Sequence, residues 1–254
     1  MVRTVTARRI AGVKLTAPSP RTIGKAGAGR VGFDLARQSL RELNQYLHGD
    51  LGGVSHVTVD NPDGAHSIAV GLNAAVTVEV NGHAGYYLAG MNQLASVEVL
   101  GNAGPGCAEN MMSGRVAVSG FASGGAGASA HGGLLVIHGD AGLRCGISLK
   151  GGDIVVGGDV GSYSAFMAQA GHMVVCGNAG DGLGDSLYEA VVYVRGRVRS
   201  LGADAREEPM AASDYVTVER LLADAGLKHR SKEFRRIASA KTLYHWNAES
   251  KQNY

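Results

Sequence analysis

The chain has 254 residues, 39 of them glycine, with 6% aromatic residues and a formal charge of +2. A charge that small gives no argument for attraction to nucleic acid or to a membrane surface. No apolar run is long enough to span a bilayer and no basic-plus-apolar leader opens the chain, so neither nucleic acid nor membrane is an expected partner, and the cytoplasm is the expected location.

Residues 1–33 read as largely irregular apart from a short strand near Thr4. Within them Gly27-Ala28-Gly29-Arg30-Val31-Gly32 spells G-x-G-x-x-G, the spacing of a dinucleotide-binding turn. That chemistry requires a strand immediately upstream in a strand–helix–strand unit. Pro18, Ser19, Pro20 and Arg21 make a poor strand, so a flexible glycine-rich loop is expected instead. Asp34 to Leu47 reads as a helix, with Asp34 as N-cap, Ala36, Leu40, Leu43 and Leu47 on one face, and Gly49 just past its end. Residues 50–75 read as an irregular coil in which Val57 and Val59 alternate before Asn61, Pro62, Asp63 and Gly64 break the register.

From there seven glycines recur at a fixed nineteen-residue period: Gly82, Gly101, Gly120, Gly139, Gly158, Gly177 and Gly196. Two residues before each marker stands a β-branched residue, from Val80 to Val194, and four before it an apolar one, from Val78 to Val192. Two inward positions separated by one residue are the signature of a half-buried strand. Alanine or valine follows two after each marker and, Ser123 and Arg199 excepted, glycine three after, so each strand is expected to end at a turn whose glycines take positive φ. Ala95, Gly114, Gly133, Gly152, Gly171 and Ala190, thirteen after their markers, suggest a second corner. One strand and two corners within a single period fit a coil of a parallel β-helix. Seven coils at the interstrand spacing give a column roughly 34 Å long. Nineteen is not a multiple of the hexapeptide period of left-handed solenoids, so the expected fold is all-β, a right-handed single-stranded parallel β-helix with flanking terminal helices. Stacked coils need caps, which divides the chain into an N-terminal segment and capping helix (1–49), the β-helix (50–205) and a C-terminal helix and interaction tail (206–254).

Conventional chemistry is sparse. Cys107 and Cys145 share a repeat position two coils apart, which separates them by roughly 9.6 Å, beyond disulfide reach. An iron–sulfur ligand set uses close spacings, and Cys107, Cys145 and Cys176 are far apart in the chain, so buried thiols are expected. The nine histidines show no metal spacing, and no serine sits in a nucleophile elbow. Gly180-Asp181-Gly182-Leu183-Gly184-Asp185 resembles part of a calcium-binding nonapeptide, but occurs once where such motifs recur, and reads as an acidic corner loop. No catalytic, cofactor-binding or metal residue is therefore assigned.

The outward row three before each marker runs Glu79, Glu98, Ala117, Val136, Val155, Val174 and Tyr193. Its last four members form an apolar stripe that implies a cover. The cover is the chain's own terminal segment, another strand layer or a partner subunit, and Val136, Val155, Val174 and Tyr193 are candidate interface residues. Ser213 to Ala225 reads as a second helix before Gly226, with Val218, Leu221, Leu222 and Ala225 on one stripe. The tail Lys228–Tyr254 mixes basic residues with Phe234, Tyr244 and the only tryptophan, Trp246, which read as interface anchors.

The repeated corners Gly101-Asn102-Ala103-Gly104, Gly139-Asp140-Ala141-Gly142 and Gly177-Asn178-Ala179-Gly180, followed by Gly182-Leu183-Gly184-Asp185, identify a relative. Over about residues 50–205 the chain resembles the GXGXG domain at the C-terminal end of the glutamate synthase large subunit, a domain also found in formylmethanofuran dehydrogenase. A chain of this length, with helices on either side, most resembles the glutamate synthase-like subunit of N-methylglutamate synthase (methylamine–glutamate N-methyltransferase). The resemblance implies two partners, a glutaminase-like amidotransferase subunit and an FMN-binding glutamate synthase-like subunit that also holds an iron–sulfur cluster. It carries over no catalytic residue, because the family motif is a set of corner glycines. The expected role is a non-catalytic structural subunit. The alternative is the GXGXG-bearing subunit of a formyltransferase/hydrolase or formylmethanofuran dehydrogenase complex. An autonomous polysaccharide-acting β-helix would need a charged ladder with exposed aromatics, which is missing.

Overall fold

The computed structural model describes residues 29–240. They form one 11-stranded sheet wound into a right-handed parallel β-helix, with two α-helices. Strands β1 (Arg30–Asp34) and β2 (His56–Asp60) flank helix α1 (Leu40–Leu47). Then come β3 (Thr77–Asn81), β4 (Ser96–Val99), β5 (Arg115–Val118), β6 (Leu134–Ile137), β7 (Lys150–Val156), β8 (Ala170–Val175) and β9 (Val191–Val194), one per coil. The chain closes with β10 (Ala205–Glu208), α2 (Ala212–Asp224), a 3₁₀ turn (Ser231–Glu233) and β11 (Arg235–Ser239).

Register follows the repeat. Val80, Val99, Val118, Ile137, Val156, Val175 and Val194 are successive partners across β3 to β9. These side chains and those two residues earlier are essentially buried, which leaves the odd positions facing out. A second inward row, six after the markers, holds Leu88, Cys107, Ala126, Cys145, Ser164 and Leu183. Both cysteines of that row are interior filling.

The corners work differently from the positive-φ expectation. Of the seven markers only Gly82 has positive φ (+140°). The others are glycine because the coils approach so closely that a Cβ has no room. At Gly101 it would lie 2.5 Å from the Gly82 carbonyl oxygen, and at Gly177 2.5 Å from that of Gly158. The N–H groups of Gly139, Gly158, Gly177 and Gly196 donate to the preceding marker's carbonyl at 2.9 Å. Left-handed backbone occurs instead five, seven and nine residues after the marker, at Tyr87, Ala89 and Met91 in one coil and Gly182, Gly184 and Ser186 in another.

Three further expectations change at the ends. The sheet begins at Arg30, ahead of the boundary placed at residue 50, because β1 pairs in parallel with β2. Gly32 therefore lies inside a strand, and the G-x-G-x-x-G run does not open a helix; Gly27 and Ala28, like the strand near Thr4, fall outside the described residues. Helix α1 starts five residues later than Asp34 would cap it. Its N-cap is Ser39, in a capping box with Glu42 (2.7 and 3.2 Å). Asp34 instead accepts from the Ala36 N–H and from Asn61, and these hydrogen bonds, that from Asn61 foremost, hold its carboxyl below the usual range. Leu43 and Leu47 of α1 are buried at the start of the column, and Asn44 ties the helix to Ser67 and Ala69. At the other end the segment read as a tail returns as β11, antiparallel between β9 and β10.

Candidate functional site

The apolar stripe is covered by the chain itself. Val136, Val155 and Val174 are fully buried and Tyr193 is 1% exposed. They pack with Val218, Leu221 and Leu222 of α2, with Ala225 at its C-cap and with Phe234, in a cluster separate from the column interior. The interface role expected for Val136, Val155, Val174, Tyr193 and Phe234 is thus replaced by an internal seam, because the helical stripe of α2 offers the complementary apolar face. Tyr244 and Trp246 lie outside the described residues.

Two polar networks border this seam. In the first, the Tyr193 hydroxyl donates to Asp214 Oδ1 at 2.7 Å, and Asp214 Oδ2 accepts from the Ala211 N–H at 2.7 Å, capping α2. Arg236 reaches Asp214 at 3.4 Å and also pairs with Glu208. Burial, reinforced by the bond to Asp214, pushes the Tyr193 phenol far up. In the second, Asp153 accepts from His172 Nδ1 (2.9 Å) and from Arg220 Nη2 of α2 (3.0 Å). Burial alone would raise the Asp153 carboxyl, but hydrogen bonds from His172 and Arg220 outweigh it and hold the value down. The His172 ring stacks near Tyr193, with centroids 6.2 Å apart and planes 14° from parallel. Asp153 and His172 are register partners in β7 and β8, five residues before their markers. That shared repeat position, two residues before the row of Val155 and Val174, is the signal of the pair in the sequence. Every acid here faces a donor, so the arrangement fastens α2 to the column.

The corner row is also structural. The carboxylate or amide oxygen one residue after a marker accepts the N–H of its counterpart in the next coil: Asn102 from Phe121 (3.0 Å), Asp140 from Asp159 (2.8 Å), Asp159 from Asn178 (2.6 Å) and Asn178 from Arg197 (2.9 Å). This ladder explains the Asn or Asp of the Gly-x-x-Gly corners. A shallow open depression at the end of the ladder is lined by Asp159, Asn178, Gly180, Arg197 and Arg199. Arg199 in it is paired with Asp181 at 3.3 Å, and no nucleophile lines it. The acidic corner Gly180–Asp185 is engaged likewise, with Ser200 donating to Asp181 and Ser186 to Asp185. Among the described residues no three His, Cys, Asp or Glu side chains converge as metal ligands. The thiols of Cys107 and Cys145 are pushed up to about 12 by burial, and that of Cys176 to about 11, so none is a poised nucleophile. Among the described residues no helix is long and apolar enough to cross a membrane.

Column, caps and ladders together define a parallel β-helical protein whose polar side chains hold its own coils in place. The chain is 53% identical over 225 residues to Protein GlxC of Rhizobium meliloti (strain 1021), covering 87% of this chain and 99% of that protein, and it belongs to the GlxC family. No protein-family model matches the sequence. Among solved structures, a chain of the formyltransferase/hydrolase complex (FhcABCD) from Methylorubrum extorquens, crystallised with methylofuran, shares the fold, with a TM-score of 0.61 and 22% identity over 83% of this chain and 91% of that one.

Proposed function

We propose that the chain is a non-catalytic structural subunit of a glutamate synthase-type complex, N-methylglutamate synthase foremost. In this reading it works in the cytoplasm and holds a glutaminase-like subunit and an FMN- and iron–sulfur-containing synthase subunit in fixed relation. The observation that carries it is the use of the polar side chains: the Asx ladder, the Tyr193–Asp214–Arg236 network and the Asp153–His172–Arg220 network all stiffen the molecule. A stiff column whose polar ladders and networks are committed to its own contacts suits positioning rather than chemistry. The methylamine assignment itself rests on the corner motifs and the chain organisation.

The second reading makes the chain the β-helical subunit of a formyltransferase/hydrolase or formylmethanofuran dehydrogenase complex. It is favoured by the likeness in fold to a chain of the FhcABCD complex. Purification of the tagged chain from its source under mild salt, with an absorption spectrum of the assembly, separates the two. Flavin and iron–sulfur absorbance together with a glutaminase-like chain supports the first reading. Colourless formyltransferase and hydrolase chains overturn it in favour of the second, and a solitary chain overturns both.

A further inference from the structure

The sheet has two outer strands, and they are built differently. At the C-terminal end β10 carries Arg206, Glu207 and Glu208. Charges along an edge keep a further strand from adding to it. At the N-terminal end β1 pairs only with β2 among the described residues, and its middle is Val31, Gly32 and Phe33.

The hydrogen bonds of β1 show which of its backbone groups stay open. The Gly29 carbonyl accepts from the His56 N–H (3.1 Å), and the Leu35 N–H donates to the Asp60 carbonyl (3.0 Å). Successive residues of a strand direct their N–H and C=O to opposite sides. With Gly29 and Leu35 turned to β2, Arg30, Gly32 and Asp34 therefore turn away from it. Asp34 is closed off locally: its N–H donates to Gln38 Oε1 (3.0 Å), and its carbonyl accepts from the N–H groups of Arg37 (2.9 Å) and Gln38 (2.8 Å). The backbone N–H and C=O of Arg30 and of Gly32 have no partner among the described residues.

This open stretch is complementary to itself. Laid antiparallel against a second β1 with Val31 facing Val31, Arg30 exchanges both backbone bonds with Gly32 of the other copy, and Gly32 with its Arg30. No open group is left over. A register with Gly32 facing Gly32 would instead set Arg30 against the closed backbone of Asp34. The side chains agree with the first register. Arg30 is exposed and has no acidic partner among the described residues. It would stand over the bare Gly32 of the other copy and diagonal to that copy's Asp34 on the same face, a separation of roughly 7–8 Å that a long side chain spans. Val31, half-buried against the column interior, would meet its counterpart on the inner face.

We infer that two copies of this chain join through the β1 edge, antiparallel about Val31, so that two columns share one continuous sheet. The inference goes beyond the proposed function and does not depend on which other chains the subunit serves. The test is sedimentation of the full chain, tagged at its C-terminus, over a wide range of concentration, with hydrogen exchange of the Arg30 and Gly32 amides read on the same samples. A two-chain species should accumulate with concentration, and both amides should slow in step with it. Arg30→Glu places like charges side by side and should weaken the pairing at least about tenfold, while the unfolding midpoint of the dilute single chain stays unchanged. A single chain at every concentration overturns the inference, as does pairing undiminished in Arg30→Glu. A two-chain species whose Gly32 amide exchanges freely also overturns it, because the copies then meet elsewhere. Protection of Gly32 at every concentration overturns it by making the chain's own terminal segment the occupant, and protection gained only with other chains does so by making a partner's strand the occupant. None of these outcomes touches the flavin and iron–sulfur readout of the proposed function, so the two readings fail separately.

Discussion

A Cβ added at Gly196 would lie 2.3 Å from the carbonyl oxygen of Gly177 and 2.6 Å from its carbon, backbone atoms held in the ladder. Gly196→Ala should therefore cost about 1–3 kcal/mol by forcing two backbones apart. The midpoint of thermal unfolding should fall by about 2–4 °C for each kcal/mol lost. Ser148→Gly is the converse experiment. Ser148 has φ +53°, and relief of about 1–2 kcal/mol of left-handed strain is offset by about 0.5–1 kcal/mol of added chain entropy, so stability should hold or rise slightly. At Asp153 the folded carboxyl titrates below its ordinary value because His172 and Arg220 bond the charged form. Its contribution is complete above the unfolded value of about 4 and is lost as pH falls through the folded one. Asp153→Asn should lower stability at pH 7 and flatten the loss as pH falls below about 4, as read from unfolding midpoints over acid pH.

At the scale of elements, α2 is part of the fold. Val155 is fully buried beneath it, so Val155→Asp places an unpaired carboxylate in an apolar seam, at a cost of several kcal/mol. The isolated chain should lose helical signal and unfold at lower temperature; an unaltered melt in the chain alone would return Val155 to the surface. For α1 the device is the Ser39–Glu42 box, and Ser39→Ala should cost about 1 kcal/mol, measured by denaturant midpoint. Both helices could be anticipated from their apolar periodicity. The true start of α1 was obscured because Asp34 and Ser39 are both competent caps, and pairing of β1 with β2 carries Asp34 into the sheet. Strand β11 was hidden for a related reason: Arg235–Ser239 carries two arginines on a short, mixed pattern, and its place is set by β9 and β10 on either side.

For the whole molecule, stability is close to a sum over coils and the contacts between them. Excision of one full coil, from Phe121 to Gly139, should leave a shorter column with the same circular-dichroism signature. Excision of half a coil should abolish folding, because it shifts inward residues to the outward face. The repeat was legible from the chain alone because each coil meets only its neighbours, so a local period states the long-range register. The burial of Cys107 and Cys145 was legible for the same reason, since they share one repeat position. The seam had a different status. The outward row from Val136 to Tyr193 announced that something must cover it, but a stripe of valines is equally complementary to a partner's helix and to the chain's own α2. The choice depends on where residues 212–224 come to lie after the last coil, and the contacts that decide it, Tyr193–Asp214 and Asp153–Arg220, join residues distant in the chain. Periodicity determined the column; the contacts that close it are aperiodic, so only the tertiary structure decided which surface the molecule covers itself and which it leaves open.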